Sequence, residues 1–341
     1  MKNWKKFPDL DTLQMSLGIP PVNTGNKRFL TGPSGIVTDD MEGLHARQDE
    51  AGKLHLVSGV EFQHFFYRGQ VEETLPCVPT LGRIATLKGR LLAMCRAVAF
   101  EEALEAHPFI KKAQQAGFHV DIAGLAQHYG LPTDMLDISG SFAVACFFAT
   151  SRWDTVSSCY LPVGDDAELG VIYRVSSCVL RERQSNVFHL LGWQPLPRPE
   201  QQRAYAIRLM KGQDFASELF GTECAYFKQN AAISRRIWKE FDEGRALFPG
   251  DPAEQQSVRA RRLNAFTAVQ LATAWSRVEA WECTSYSTDQ RRQVEVSNGI
   301  TVSTNKVLTW DDLQVESREE QLNQMIQAVN ARARYRLASY L

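Results

Sequence analysis

The chain has 341 residues, 44% of them hydrophobic and 23% charged, with a formal net charge of −1. This is the composition of a globular protein with room for a core domain and extensions. The near-zero charge excludes a global field drawing the chain to nucleic acid or an anionic membrane, and no stretch approaches the roughly 18 to 20 apolar residues of a membrane span.

Residues 1–58 read as an irregular N-terminal extension, broken by Pro20-Pro21, Gly25, Gly32-Pro33 and Gly35. The opening residues lack the apolar run of a signal peptide. Residues 61–67 are aromatic-rich and read as a strand ending at Arg68-Gly69. Residues 83–105 carry apolar side chains every three or four positions and predict a helix. Asp121 can cap a second helix over residues 122–129, which Gly130 and Pro132 stop. Residues 133–138 follow as a short extended segment, and Ser139 or Ser141 can cap an apolar helix over residues 142–150. Residues 170–175 and 204–209 read as strands, and residues 234–242 as a short helix. Beyond Pro252 the expected elements are a long helix over residues 254–280, a hairpin centred on Ser297-Asn298-Gly299, and an amphipathic helix over residues 316–340. Residues 253–341 therefore read as an appended module. The seven cysteines stand singly without a C-x-x-C pair, which argues against a disulfide framework or a structural zinc; a cytoplasmic protein is expected.

Two stretches crowd polar, chemically capable residues into apolar surroundings, where such groups are normally satisfied or used. One is Tyr67-Arg68-Gly69-Gln70; the other runs from Gln127-His128-Tyr129-Gly130-Leu131-Pro132-Thr133 through Leu136-Asp137. No G-x-S-x-G, H-E-x-x-H, Walker A or G-x-G-x-x-G motif occurs. The first stretch resembles the signature for which the FRG domain is named, and the second resembles that family's longer motif. Weaker matches lie at Pro197-Arg198 through Gln202 and at Leu247-Phe248-Pro249, so the resemblance covers residues 59–252. The sequence departs from the family pattern at Asp134, where Arg is usual, at Ser139, where Thr is usual, and at Arg203-Ala204, where Gln-Gly is common.

The order of elements is also similar to the ADP-ribosyltransferase fold. That looser resemblance implies an α+β protein with a split mixed sheet, and NAD as substrate rather than a metal. It places Arg68 on the dinucleotide, with Gly69 allowing close backbone approach and Tyr67, Gln70, Gln127 and Ser139 around it. A fork-shaped guanidinium suits a diphosphate. Tyr129 or Tyr67 would stack on nicotinamide, and His128 would meet the ribose, the diphosphate or the acceptor nucleophile. Glycosidic cleavage of NAD passes through an oxocarbenium-like state, which Asp137, Glu200 or Gln202 would stabilise. A macromolecular acceptor and a role as a toxin or anti-phage effector are further implications of the resemblance.

Structural readings stand beside each of these. Arg68 and Asp137 can form an ion pair between strands. His128 can interact with a helix C-terminus, Asp137 can cap the next helix, and Gln70 and Gln127 can satisfy buried backbone groups. The basic runs Arg259-Ala260-Arg261-Arg262 and 332–336 read first as solvated faces. A non-catalytic nucleotide- or nucleic-acid-binding module and an NAD glycohydrolase remain as alternatives to the transferase.

Overall fold

The computed structural model describes residues 5–17, 44–48, 51–58, 65–166, 169–177, 179–180, 187–189, 191–217, 221–310, 323 and 327. The helix expected over residues 316–340 lies outside this set except at two isolated positions. The strands are β1 (Lys5–Phe7), β2 (Leu44–Gln48), β3 (Leu54–Ser58), β4 (Phe65–Gln70), β5 (Met135–Ser139), β6 (Ser151–Asp154), β7 (Cys159–Pro162), β8 (Gly170–Ser176), β9 (Phe188–His189), β10 (Ala204–Arg208), β11 (Glu223–Phe227), β12 (Ala265–Thr267) and β13 (Thr301–Ser303). The helices are α1 (Leu10–Ser16), α2 (Leu87–Ala106), α3 (Pro108–Gln115), α4 (Ile122–His128), α5 (Phe142–Thr150), α6 (Arg198–Gln201), α7 (Ala231–Glu240), α8 (Pro252–Ala260), α9 (Ala268–Glu282) and α10 (Thr288–Ser297).

A seven-stranded mixed sheet in the order β1-β11-β8-β4-β5-β10-β9 organises an α+β fold. Only the edge pair β1–β11 is parallel. The sheet is split at its centre. β4 pairs with β8 at six positions, from Phe65↔Ser176 to Gln70↔Val171, but with β5 only at Tyr67↔Ser139. The strands part on one side of that pair, and the parting lies beside Arg68 and Asp137.

Pleating sends alternate residues to opposite faces. Phe66, Leu136, Ile138, Val171, Tyr173, Tyr205 and Ile207 build the core on one face. Tyr67, Ile172 and Phe227 meet the apolar helix α5 on the other. Gly69 belongs to this second face, and a Cβ there would lie 1.8 Å from the Ala145 carbonyl oxygen. The glycine therefore lets β4 sit directly on α5; helix packing already accounts for the close approach expected toward a ligand.

A third core surrounds α2, which is buried along most of its length. Its partners include Leu125, Ala126 and Tyr129 from α4 and its cap, and Ala253, Ala260, Leu271, Ala274, Trp275, Val278 and Trp281 from α8 and α9. Residues 252–308 thus share a core with α2. The long helix expected over 254–280 is two helices separated by β12, because Ala265–Thr267 pairs in parallel with Thr301–Ser303. The expected hairpin at Ser297-Asn298-Gly299 is instead the end of α10: Asn298 is its C-cap and Gly299 takes φ +64°. No helix among the described residues is long and apolar enough to cross a membrane.

Candidate functional site

A cleft of about 820 Å³ opens at the split, lined by residues from β4, α4, β5, α5, the β6–β7 hairpin, α6 and α8. Arg68, Gln127, His128, Asp137, Ser139 and Gln202 all line it, although they are spread over some 135 positions of sequence.

The longer motif builds one wall through a relay of hydrogen bonds. The Met135 amide donates to Thr133 Oγ1 at 3.1 Å, the Thr133 hydroxyl to Gln127 Oε1 at 2.6 Å, and Gln127 Nε2 to Asp137 Oδ2 at 3.2 Å. Gly130, at φ +77°, makes the turn that returns the chain from α4 to β5. The motif's Gln, Thr and Asp are thus one connected unit that fixes the Asp137 carboxylate by one oxygen. Its other oxygen, Oδ1, is buried without a hydrogen-bond partner.

His128 faces that oxygen. Its side chain is 1% exposed, and Nε2 stands 3.7 Å from Asp137 Oδ1. Nδ1 lies 3.0 Å from Gln202 Oε1. Gln202 Nε2 donates to the Leu247 carbonyl at 3.0 Å, which leaves Oε1 as the acceptor end of the amide. A neutral His128 therefore carries its proton on Nδ1 and a lone pair on Nε2. Two buried acceptors, Nε2 and Asp137 Oδ1, then confront each other at 3.7 Å, on two residues that line the cleft.

Arg68 does not form the ion pair with the Asp137 carboxylate that its structural reading offered. Its Nη1 donates to the Asp137 backbone carbonyl at 2.6 Å rather than to the carboxylate, and Nε approaches Gln70 Oε1 at 3.5 Å. The guanidinium bonds across the place where the β4–β5 ladder stops. Gln70 in turn donates to the Leu75 carbonyl. Ser139 Oγ donates to the Gln202 carbonyl at 2.8 Å and accepts from the Ser141 amide, while Ser141 is the N-cap of α5. Neither Ser139 nor Asp137 caps that helix.

The two aromatic rings expected near a nicotinamide line the cleft but are packed within the protein. The Tyr129 ring is 1% exposed, lies 4.5 Å beneath the Arg198 guanidinium, and its hydroxyl donates to Asp251. Tyr67 packs edge-on against Phe142 at 5.4 Å within the core. Packing occupies both faces that a nicotinamide would need. Glu200 is half-buried on α6 and is not among the residues lining the cleft, whereas Gln202, one residue past that helix, is.

The structure also brings in residues with no distinct sequence signal as site residues. Arg198 closes the back wall, reaching the His128 carbonyl at 3.5 Å and Glu254 at 3.1 Å. Arg261 donates to the Tyr129 carbonyl at 3.2 Å. Asp251, capping α8, is held above the usual carboxylate range by burial, against the pull of the Tyr129 hydroxyl. Burial likewise pushes Tyr160 up to about 12. Arg198 stood in a weak motif that drew attention to Gln202, and Arg261 stood in a basic run read as a solvated face. Asp134, where the family pattern has Arg, pairs with Arg208 at 2.9 Å.

Comparison with known families agrees with this geometry: residues 63–157 match the model of the FRG domain. The chain carries an FRG domain, spanning the two principal motifs, β4 to β6 and the α4–β5 relay. No curated protein and no solved structure matches the chain.

Proposed function

We propose that the cleft binds NAD and that the protein transfers its ADP-ribosyl group to a macromolecular acceptor. The observation that carries this reading is the convergence at a split sheet of a guanidinium with no carboxylate partner among the described residues and a buried His128–Asp137 pair whose facing atoms, 3.7 Å apart, lack hydrogen-bond partners. Buried polar atoms left unpaired are costly, and they cluster where a ligand completes them. A ribose presents hydroxyl donors to two acceptors, and a diphosphate presents paired oxygens to a guanidinium.

In this reading Asp137, fixed by Gln127, stabilises the positive charge that develops on the ribose as the bond from its anomeric carbon to the nicotinamide nitrogen breaks. The bonding electron pair leaves with nicotinamide. The acceptor's lone pair forms the new bond to the anomeric carbon, and its proton passes to His128 Nε2, the ring nitrogen that Gln202 leaves unprotonated. Of the three candidates for this role, Asp137 is preferred, and Glu200 does not line the cleft. A non-catalytic nucleotide-binding module is the second reading, and burial of the Tyr67 and Tyr129 rings favours it, since neither offers a stacking face.

The test is nicotinamide release from NAD by the full chain, with folding of each variant checked by thermal melting. Release that is lost in Arg68→Ala and in Asp137→Asn but kept in Glu200→Gln supports the assignment. NAD binding by wild type without release selects the binding module, and absence of both binding and release overturns the NAD reading.

A further inference from the structure

Six arginines line the cleft, and their partners divide them. Arg152 pairs with Glu72, Arg198 with Glu254, and Arg245 with Asp242 and Glu243. Arg261 donates to a carbonyl and feels the Glu254 carboxylate. Arg68 and Arg83 are different: among the described residues neither has a carboxylate within ion-pair distance. Arg68 is committed to a carbonyl and an amide oxygen. Arg83 ends a 3-10 turn, Thr80–Arg83, that is rooted in the core by Leu81, whose amide donates to the Thr133 carbonyl. Its side chain is exposed to solvent within the cleft.

The two cations sense each other. Partial desolvation of the Arg83 guanidinium within the cleft, and then the like charge of Arg68, lower the Arg83 pKa. The Cys77 thiol, which feels both arginines, is pushed up to about 11 by burial and stays neutral. Two guanidiniums lining one cleft, neither with a carboxylate at ion-pair distance among the described residues, repel each other, and an arriving anion relieves that repulsion. Each guanidinium offers a planar fork of donors that matches phosphoryl oxygens. The site is rigid on both sides, since Arg68 stands on β4 and Arg83 on a turn hydrogen-bonded to the same motif segment that carries Thr133.

We infer that Arg83 joins Arg68 as a two-guanidinium clamp for a phosphoryl or diphosphate group at the mouth of the split, making Arg83 an anion-binding residue of this cleft. The inference deepens the nucleotide reading by naming a second diphosphate contact, yet the clamp stands or falls on its own chemistry. It also separates the cleft into two parts, a cationic end at Arg68 and Arg83 and an acceptor-rich end at His128 and Asp137.

Calorimetric titration of the full chain with inorganic pyrophosphate tests it, because that probe carries the charge without the nucleoside. Wild type should bind, and Arg83→Gln and Arg68→Gln should each weaken binding about 10- to 100-fold. Arg83→Lys should recover part of the loss, and Arg83→Gln should melt like wild type because its side chain makes no hydrogen bond among the described residues. No pyrophosphate binding by wild type, or equal binding by a folded Arg83→Gln, overturns the clamp. Nicotinamide release, measured in parallel, keeps the two ideas apart. Arg83-dependent pyrophosphate binding without NAD chemistry upholds the clamp and removes the NAD reading. NAD turnover with Arg83-independent pyrophosphate binding does the opposite.

Discussion

Gln202 Oε1 lies 3.0 Å from His128 Nδ1, and this one contact decides which ring nitrogen of the neutral imidazole carries the proton. The amide is itself oriented by the Leu247 carbonyl, so its oxygen can only accept. Gln202→Leu removes both bonds and leaves a buried ring N–H and a buried carbonyl without partners, which should cost about 1–3 kcal/mol of stability. It should also allow the other tautomer. Nitrogen-15 spectra of the imidazole report the tautomer directly: wild type should show a protonated Nδ1, and Gln202→Leu a mixture. A wild-type ring protonated on Nε2 in its neutral form would refute the assignment.

Gly69 is required by packing, since any Cβ there meets the Ala145 carbonyl at 1.8 Å and the Ala149 amide at 2.7 Å, both backbone atoms that no rotamer change can move. Gly69→Ala should destabilise the protein by about 3 kcal/mol or more, toward the upper end of overpacking costs. Thermal melting with and without pyrophosphate checks this: the loss should persist in both, because the defect lies in the β4–α5 contact and not in ligand approach.

Legibility in the sequence followed the range of the forces involved. The Asp121 cap, the Gly130 stop and the core helix α5 are local signals, and the structure forms them where the pattern placed them. Gln127, His128 and Asp137 stood out because polar groups were set among apolar neighbours, and the relay through Thr133 explains why all are needed together. Asn298-Gly299 misled because a glycine with positive φ ends helices as readily as it turns hairpins. The break between α8 and α9 depends on β12 pairing with β13 more than thirty residues away, which no periodicity reports. Arg83 carried no motif at all; only the fold brings it to the cleft that Arg68 lines.

His107 supplies a pH test of the helical layer. It is the N-cap of α3, its Nδ1 accepts from the Phe109 amide at 3.2 Å, and it is 1% exposed against the edge of Trp310. Burial lowers its pKa to about 4. The folded state therefore favours neutral His107, so its contribution is fully present above the unfolded value near 6.5 and is lost as pH falls from there through about 4. The shift corresponds to about 3 kcal/mol. The difference in stability between wild type and His107→Asn, which keeps a capping acceptor but does not titrate, should shrink in that acid window. A difference constant with pH would show that His107 does not titrate in this way.

The C-terminal part of the described chain should be inseparable from the FRG domain. Ala253, Ala260, Trp275, Val278 and Trp281 share one core with α2, and Asp251 anchors Tyr129 through its hydroxyl. Truncation after Gly250 would uncover the α2 face and remove Glu254, Ser257 and Arg261 from the cleft wall. The truncated chain should show weak near-ultraviolet dichroism and no cooperative melt. A cooperative transition like that of the full chain would mean that residues 59–250 fold alone.

Asp137→Asn separates catalysis from architecture most cleanly. The asparagine is isosteric, and its carbonyl can still accept from Gln127 Nε2. Its amide nitrogen can then donate toward His128 Nε2, replacing two facing acceptors, 3.7 Å apart in the native protein, with a donor and an acceptor. Melting temperature should therefore stay level or rise. The carboxylate charge is lost, and with it the stabilisation of a developing ribosyl cation. Nicotinamide release should fall about 10²- to 10³-fold, the scale of removing one electrostatic contact to a transition state. Because Arg68 bonds the Asp137 backbone carbonyl, the substitution leaves the cationic end of the cleft intact, and pyrophosphate affinity should remain within a few-fold of wild type. A variant that keeps full release would show that Asp137 serves the fold alone and that the charge on the ribose is met elsewhere.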